Sequence, residues 1–303
     1  MNEQVVVEAQ RKVAGLIEAL PYIRSFRNKV VAIKLGGSTM GKPEILDGLF
    51  LDVAFMAAVG MRPIIVHGGG PAISREMERR GKKAVFVDGH RVTDEETLEI
   101  ARSVLVGQIN ADIVRRLRAL GASAETVFGD PIRARQKIVE ETNSAGRTIR
   151  YDLGLVGVIE QVDVPYFRRI LDSEAVPVVS PIARGPNESL LNVNADSVAA
   201  FLAGRLRAEK LVFLSDVHGI MTNPPDPNSF ADTLDEAAAQ DLIRRGIISG
   251  GMRPKVEACL AALDSGVRKA HIVDGRVSHS LLLEIFTREG VGTQIVKQLQ
   301  EVG

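Results

Sequence analysis

The hydrophobic and polar positions first follow a helical period and then an alternation of short apolar runs with amphipathic segments. Ala9, Val13, Leu16, Ile17 and Leu20 fall on one helical face, and Pro21 is expected to end that run. From Lys29 the pattern predicts a strand at 29–34, a helix at 44–59 closed by Gly60, a strand at 63–67, a helix at 71–80 closed by Gly81, and a short strand at 84–87. This rhythm predicts a mostly parallel sheet covered by helices on both faces. Thr93 and Glu96 have capping-box spacing ahead of a long helix over 95–118. Leu98, Ala101, Leu105, Ile109, Ile113 and Leu117 form its apolar stripe. Between Ala124 and Gln161 the chain becomes β-rich and is broken by Gly129, Asn143-Ser144-Ala145-Gly146 and Gly154, which predicts hairpins beside the main sheet acting as a flap or rim.

The α/β rhythm returns with a helix at 165–173 and a strand at 176–180, and Gly185-Pro186-Asn187 marks a division between two lobes. The second lobe is expected to hold helices at 195–207, 235–245, 253–265 and 279–288. Its strands are expected at 211–215, 269–273 and near 292–296, with a rigid surface loop at 223–228. With 303 residues, 45% of them hydrophobic, the chain has ample material for a core. Lysine plus arginine equals aspartate plus glutamate at 38 each, so neither nucleic acid nor an anionic membrane is an expected partner, and any anion site must be local. The lone Cys259 excludes an internal disulfide and reads as a buried apolar residue. No run approaches the ~18 apolar residues of a membrane helix, and Met1 to Arg11 is too charged for a signal peptide, so a cytoplasmic protein is expected. The histidines lack i, i+4 pairing, and no metal site built by the protein is expected.

Two apolar strands end in glycine. Val30-Val31-Ala32-Ile33-Lys34-Leu35-Gly36-Gly37-Ser38 delivers a lysine and then two glycines, and Ile64-Ile65-Val66-His67-Gly68-Gly69-Gly70-Pro71 runs into a triple glycine with proline opening a helix. Backbone N–H groups approach an anion most closely where no side chain intervenes, so two anionic groups are expected at one sheet edge. In the second lobe Asn192-Val193-Asn194-Ala195-Asp196 opens a helix, Leu214-Ser215-Asp216-Val217-His218-Gly219 ends a strand, and Ser249-Gly250-Gly251-Met252-Arg253-Pro254-Lys255 opens another helix.

Together with Asp88-Gly89-His90-Arg91-Val92-Thr93-Asp94, these motifs resemble the amino-acid kinase family over nearly the whole chain, from about Leu16 to Val296, and within it the branch that phosphorylates N-acetyl-L-glutamate. The resemblance implies the amino-acid kinase fold, a three-layer α/β/α sandwich in two lobes. Residues 26–185 would bind the acceptor and dimerise, and 186–303 would bind ATP. It further implies transfer of the ATP γ-phosphoryl group to the side-chain carboxylate of N-acetyl-L-glutamate, a step toward arginine, with Mg²⁺ carried by the nucleotide. By the same resemblance Lys34 and Lys255 approach the phosphoryl group from the two lobes and Asp196 orients both. Gly36, Gly37, Gly69 and Gly70 supply N–H donors, Arg91 clamps a substrate carboxylate, and Asn192 holds the acetamido end. Asp216, Val217, Gly219, Ile248 and Met252 line the nucleotide pocket. Glu125 to Pro131 departs from the Gly-Leu-Ser/Thr-Gly-x-Asp hairpin of many members, which predicts a flap of altered shape and leaves the acyl specificity open. A kinase for a related acylated or carrier-linked amino-dicarboxylate, or a silent arginine-sensing scaffold on the same fold, are the alternatives.

Leu16 to Arg24 resembles the N-terminal helix of arginine-sensitive members, which makes residues 1–25 an oligomerisation arm. Ala270 to Arg276 and Leu283 to Thr293 resemble the strand and helix end where those members bind arginine. The resemblance implies L-arginine as an inhibitor, Tyr22, His271, Glu284 and Gly290 as its contacts, and a homohexamer. In that assembly dimers form through the 95–118 helix and the arms join three dimers into a ring.

Overall fold

The computed structural model describes residues 3–36, 43–87, 89–142, 148–224, 226, 228–287 and 290–298. Helix α1 (Glu3–Phe26) precedes strand β1 (Val30–Leu35), α2 (Pro43–Ala58), β2 (Arg62–His67) and α3 (Gly70–Arg79). A small ribbon of β3 (Phe86–Val87) and β4 (His90–Arg91) leads into α4 (Glu95–Arg102), a π-helical stretch (Ser103–Asn110) and α5 (Ala111–Ala119). Then come β5 (Ala124–Thr142), β6 (Thr148–Val162), α6 (Val164–Asp172), β7 (Val176–Arg184), β8 (Leu190–Val193), α7 (Ala195–Arg205) and β9 (Lys210–Ser215). The chain closes with β10 (Thr233–Asp235), α8 (Glu236–Arg244), α9 (Arg253–Asp264), β11 (Lys269–Asp274), α10 (Ser280–Phe286) and β12 (Gly292–Val296).

One ten-stranded sheet in the order β10-β12-β11-β9-β1-β2-β7-β5-β6-β8 runs through both halves of the sequence. Its pairings are parallel except β5 with β6, β7 with β8 and β11 with β12. The two-residue period of the central strands builds a core on each face. Val30 and Ala32, Ile64 and Val66, Leu211 and Phe213 meet helices α6 to α9, while Val31, Ile33 and Leu35, Ile65, Val212 and Leu214 meet α2, α5 and α10. A sheet apolar on both sides must be covered on both, and three layers result. Each large side chain buried this way contributes about 1.5–3 kcal/mol. Strand β1 sits where the strand order turns, with β2 on one side and β9 on the other, and a crevice at the carboxyl ends of such strands is the usual ligand position.

Several expectations need correction. Helix α1 continues through Pro21 to Phe26, because its last turn is packed. Tyr22 meets Phe286 edge-on at 6.2 Å, and Phe26 lies against the core. That packing offsets the hydrogen bond a proline removes. The cap of α4 is Asp94, whose side chain accepts from the Thr97 N–H, so Thr93 and Glu96 do not form a capping box. The long helix at 95–118 is interrupted by the π turn, which widens its spacing and makes Asn110 fully buried while Ile109 is only partly so. The β-rich stretch is two long antiparallel strands of the main sheet, and Ala124 to Val127 pair in parallel with β7. Asn143 to Gly146 lie outside the described residues. Helix α10 spans only Ser280–Phe286, with His279 in the left-handed region at its N-cap, where Nδ1 lies 2.5 Å from the buried Asp52. Strand β8, beyond the Gly185-Pro186-Asn187 division, still pairs with β6 and β7.

Candidate functional site

Strand periodicity puts Lys34 on the face of Val30 and Ala32, toward α7. Its ammonium lies 2.7 Å from Asp196 Oδ1, with the Lys34 side chain 7% and the Asp196 side chain 11% exposed. Asp196 is in the first turn of α7, where Asn194 caps the helix by accepting from the Asp196 and Ser197 N–H groups at 2.8 and 3.0 Å. Such a cap contributes about 1 kcal/mol and here also fixes the carboxylate's origin. On the other side Lys255 Nζ, in the first turn of α9, lies 3.9 Å from Asp196 Oδ2 and donates to the Gly251 carbonyl at 3.1 Å. One carboxylate between two ammonium groups leaves a net positive charge in a partly desolvated place. That combination attracts a phosphate and strengthens every charge interaction with it.

The glycine turns flank this group. Leu35 is in register with His67 and with Leu214. The Gly36 N–H donates to the Leu214 carbonyl at 3.1 Å, which corrects its expected role, because a paired amide has no proton left for an anion. Gly37 lies outside the described residues. Gly69 is the N-cap of α3, and a Cβ there would sit 2.5 Å from Leu105 Cδ2 and 2.9 Å from Ile109 Cδ1, so the π-helical stretch packs against the turn and its side chains would have to shift to admit a larger residue. At Gly70 a Cβ would meet nothing within 4 Å. First-turn amides of a helix lack intrahelical acceptors, and this start also carries the positive end of the helix dipole.

Arg91 of β4 is buried, yet its guanidinium donates to the Gly70 carbonyl at 2.9 Å, the Ser74 hydroxyl at 2.8 Å and the Met77 sulfur at 3.2 Å, and stacks on Phe86 at 4.7 Å. Among the described residues none of these partners is a carboxylate. Burial without a counter-charge pushes its pKa down. A desolvated cation held by neutral groups is suited to an anionic ligand. Thr93 ties this element to the next. Its hydroxyl donates to the Arg91 carbonyl at 2.8 Å and accepts from Asn192 Nδ2 at 3.4 Å, while its backbone bridges to β6 beside Gly154.

Asp216 and Val217 are exposed at the carboxyl end of β9, and Met252 is partly exposed beside α9. Ile248 is a core residue, and Gly219 is buried against Thr293, so both are placed by packing. A cavity of about 790 Å³ is lined by chain neighbours of Asp196 and Lys255, among them Asn194, Ser197 and Pro254, together with Gly250 and His90. No group of three histidine, cysteine, aspartate or glutamate side chains among the described residues is spaced to hold a metal ion. Cys259 is fully buried and its thiol pKa is pushed up by desolvation, which keeps it from acting as a nucleophile.

A second cavity of about 730 Å³ is bounded by the last turn of α1 and the end of α10, with Tyr22, Lys29, Lys210, Glu284, Thr287 and Gly290 among its walls. Glu284 is buried beneath it, with Oε1 2.6 Å from His271 Nδ1 and Oε2 accepting from the Val291 N–H at 3.1 Å. Burial pushes the Glu284 pKa up, but the hydrogen bonds from His271 and the Val291 amide, with Lys210 nearby, outweigh it and hold the carboxylate ionised. At Gly290, with φ +63°, a Cβ would lie 3.0 Å from Glu284 Oε2, so this glycine is needed by the turn and by the carboxylate.

Ser74, Asn110 and Ser180 were not singled out in the sequence, and Thr93 was read there only as a helix cap and a motif member. The available signal was Asn110, a polar residue that the π turn carries into the interior beside an apolar stripe.

Residues 29–274 match the amino acid kinase family. The acetylglutamate kinase of Moorella thermoacetica is 46% identical over 288 residues, covering 94% of this chain and 97% of that protein. N-acetylglutamate synthase from Neisseria gonorrhoeae, solved with coenzyme A and N-acetyl-glutamate, superposes with a TM-score of 0.82 at 28% identity over 95% of this chain and 64% of its own. The same synthase with coenzyme A and L-arginine gives 0.79 at 27% identity, covering 94% of this chain and 65% of its own. This chain thus spans just under two thirds of the synthase and nearly all of the kinase.

Proposed function

This chain belongs to the amino acid kinase family, and from that premise we propose that it transfers the γ-phosphoryl group of ATP to the side-chain carboxylate of N-acetyl-L-glutamate in arginine biosynthesis. The observation that carries this reading is the Lys34–Asp196–Lys255 group at the carboxyl edge of β1. The acceptor carboxylate, with a pKa near ~4.3, is ionised at neutral pH, so no general base is required. The obstacle is the meeting of an anion with a polyanion. Lys34 and Lys255 neutralise charge on the transferring group, and Asp196 holds both ammonium groups in place. The amides of Gly69 and Gly70 face the same anion, Arg91 takes the substrate's α-carboxylate, and Asn192, held by Thr93, meets the acetamido end. ATP supplies the phosphoryl group and brings Mg²⁺ on its phosphates. Asp216, Val217 and Met252 border the nucleotide. Residues 26–185 carry most of the acceptor side and 186–303 most of the nucleotide side. The expected result of a coupled assay is ADP release with N-acetyl-L-glutamate and MgATP, and not with glutamate. No ADP or acyl phosphate above background sinks the proposal. Among the described residues no helix is long and apolar enough to cross a membrane.

Arg91→Lys is expected to raise KM for N-acetyl-L-glutamate by about tenfold or more while leaving KM for ATP intact, since the charge survives but the forked donor geometry is lost. An unchanged acceptor KM removes Arg91 from the substrate site.

L-Arginine is proposed as a feedback inhibitor bound in the cavity between α1 and α10. The support is its mixed lining and the buried, ionised Glu284 at its wall. A guanidinium is a suitable partner for a carboxylate with spare lone pairs. The other half of α1 is unsupported, with Val5, Val7, Val13, Leu16 and Ile17 each more than half exposed. An apolar stripe of that size fits an arm docking on another subunit, in a hexamer of three dimers.

A further inference from the structure

Beneath the Gly68-Gly69-Gly70 turn lies a buried polar chain that the phosphoryl-transfer mechanism does not use. His67 and Ser180 are fully buried, and so is Asn110 at the end of the π-helical stretch. Asn110 Nδ2 lies 2.8 Å from the Val178 carbonyl, which can only accept, so this end of the amide is the NH₂ group. The same nitrogen lies 2.9 Å from Ser180 Oγ and 3.3 Å from His67 Nε2, and Ser180 Oγ lies 3.0 Å from His67 Nε2. The Gly68 carbonyl, 3.0 Å from His67 Nδ1, can only accept, so the proton of the neutral imidazole is on Nδ1 and Nε2 is left as the acceptor. Ser180 Oγ and Asn110 Nδ2 are the donors within its reach.

This hydrogen bond fixes a peptide plane. No cis peptide occurs among the described residues, so the Gly69 N–H is antiparallel to the Gly68 carbonyl and turns away from the buried ring. The Gly68 N–H is in turn held by the Leu35 carbonyl at 3.0 Å. We propose that His67, locked as its Nδ1–H tautomer by Ser180 and Asn110, is a positioning residue that orients the Gly69 amide toward the transferring phosphoryl group. Its role in turnover rests on the kinase reading above. Burial lowers the His67 pKa to about 4, so the ring remains neutral at working pH and keeps both hydrogen-bonding roles. A glycine turn has little conformational preference of its own. The imidazole supplies the missing constraint, so the donor needs no reorganisation when charge arrives.

Two measurements on the full-length protein test this. Long-range ¹H–¹⁵N correlation of histidine-labelled enzyme is expected to show His67 as the pure Nδ1–H tautomer, unchanged from about pH 8 to about pH 5 given its depressed pKa. An Nε2–H tautomer, or titration inside that window, overturns the proposal whether or not the enzyme turns over acetylglutamate, which keeps its failure distinct from failure of the kinase reading. In kinetics, His67→Asn places an amide NH₂ near the Nδ1 position, whereas His67→Gln places one near Nε2. His67→Asn is expected to recover kcat to within about threefold of the parent. His67→Gln is expected to lose roughly tenfold or more at unchanged KM for ATP, part of the 10²–10³ lost when an oxyanion donor is removed. Equal kcat for the two variants overturns the proposal.

Discussion

Lys255→Ala is expected to lower kcat by at least about 100-fold with little change in thermal midpoint. Its ammonium is partly exposed and lies 3.9 Å from Asp196, so it contributes little to folding, whereas a cation at the transferring phosphoryl group acts where charge changes most in the transition state. Lys34→Ala is expected to show the same kinetic loss and a second effect. Asp196 would be left buried without its 2.7 Å partner, and breaking a buried pair costs about 3–5 kcal/mol, so the midpoint falls by several degrees. Steady-state kinetics with thermal melts on both variants check this. Near-normal kcat in Lys255→Ala would refute its role as a transition-state cation, whatever the stability of the Lys34 variant.

The other large effect is expected from removing residues 1–24. Light scattering should show a fall in mass from about six chains to about two, and the truncated enzyme should retain activity while losing inhibition by arginine. Helix α1 has two parts with different surroundings. Its first four turns expose an apolar stripe, while its last turn meets α10 through the Tyr22–Phe286 contact and walls the cavity over Glu284. In the assembly proposed above, one helix would span a subunit contact and an effector pocket, so a ligand in the pocket would bias the assembly. Coupling of about 1–3 kcal/mol between effector and substrate sites is typical of such arrangements. A full-length dimer indifferent to millimolar arginine would defeat both the assembly and the regulation. A truncated protein that stays hexameric would defeat the role of the arm.

Much of this protein was legible from local pattern. The alternation of short apolar runs with amphipathic segments specified a mostly parallel sheet covered by helices on both faces, and the two faces of β1, β2 and β9 are indeed both apolar and both covered. The glycine-ended strands were legible as two strand ends, and β1 and β2 do end side by side with Leu35 in register with His67, because a glycine turn at a strand end is encoded within a few residues. Local signals failed where a distant element set the outcome. Pro21 does not end α1, because the packing of Tyr22 and Phe26 outweighs a single lost hydrogen bond. The β-rich stretch joins the main sheet, because strand order depends on partners far along the chain.

The sequence by itself determined which residue types reach the carboxyl edge of the sheet: a lysine, two glycine turns and a helix-opening aspartate. Backbone period and turn chemistry are short-range properties, so they survive without knowledge of the fold. Only the tertiary structure decided which groups are already spent and which remain available. It paired the Gly36 amide with Leu214, left Arg91 without a carboxylate partner among the described residues, and set Lys34 at 2.7 Å from Asp196. It also carried Asn110 under the glycine turn to fix a histidine tautomer. Hydrogen-bond pairing and desolvation depend on every neighbour in three dimensions, and no window of sequence contains them.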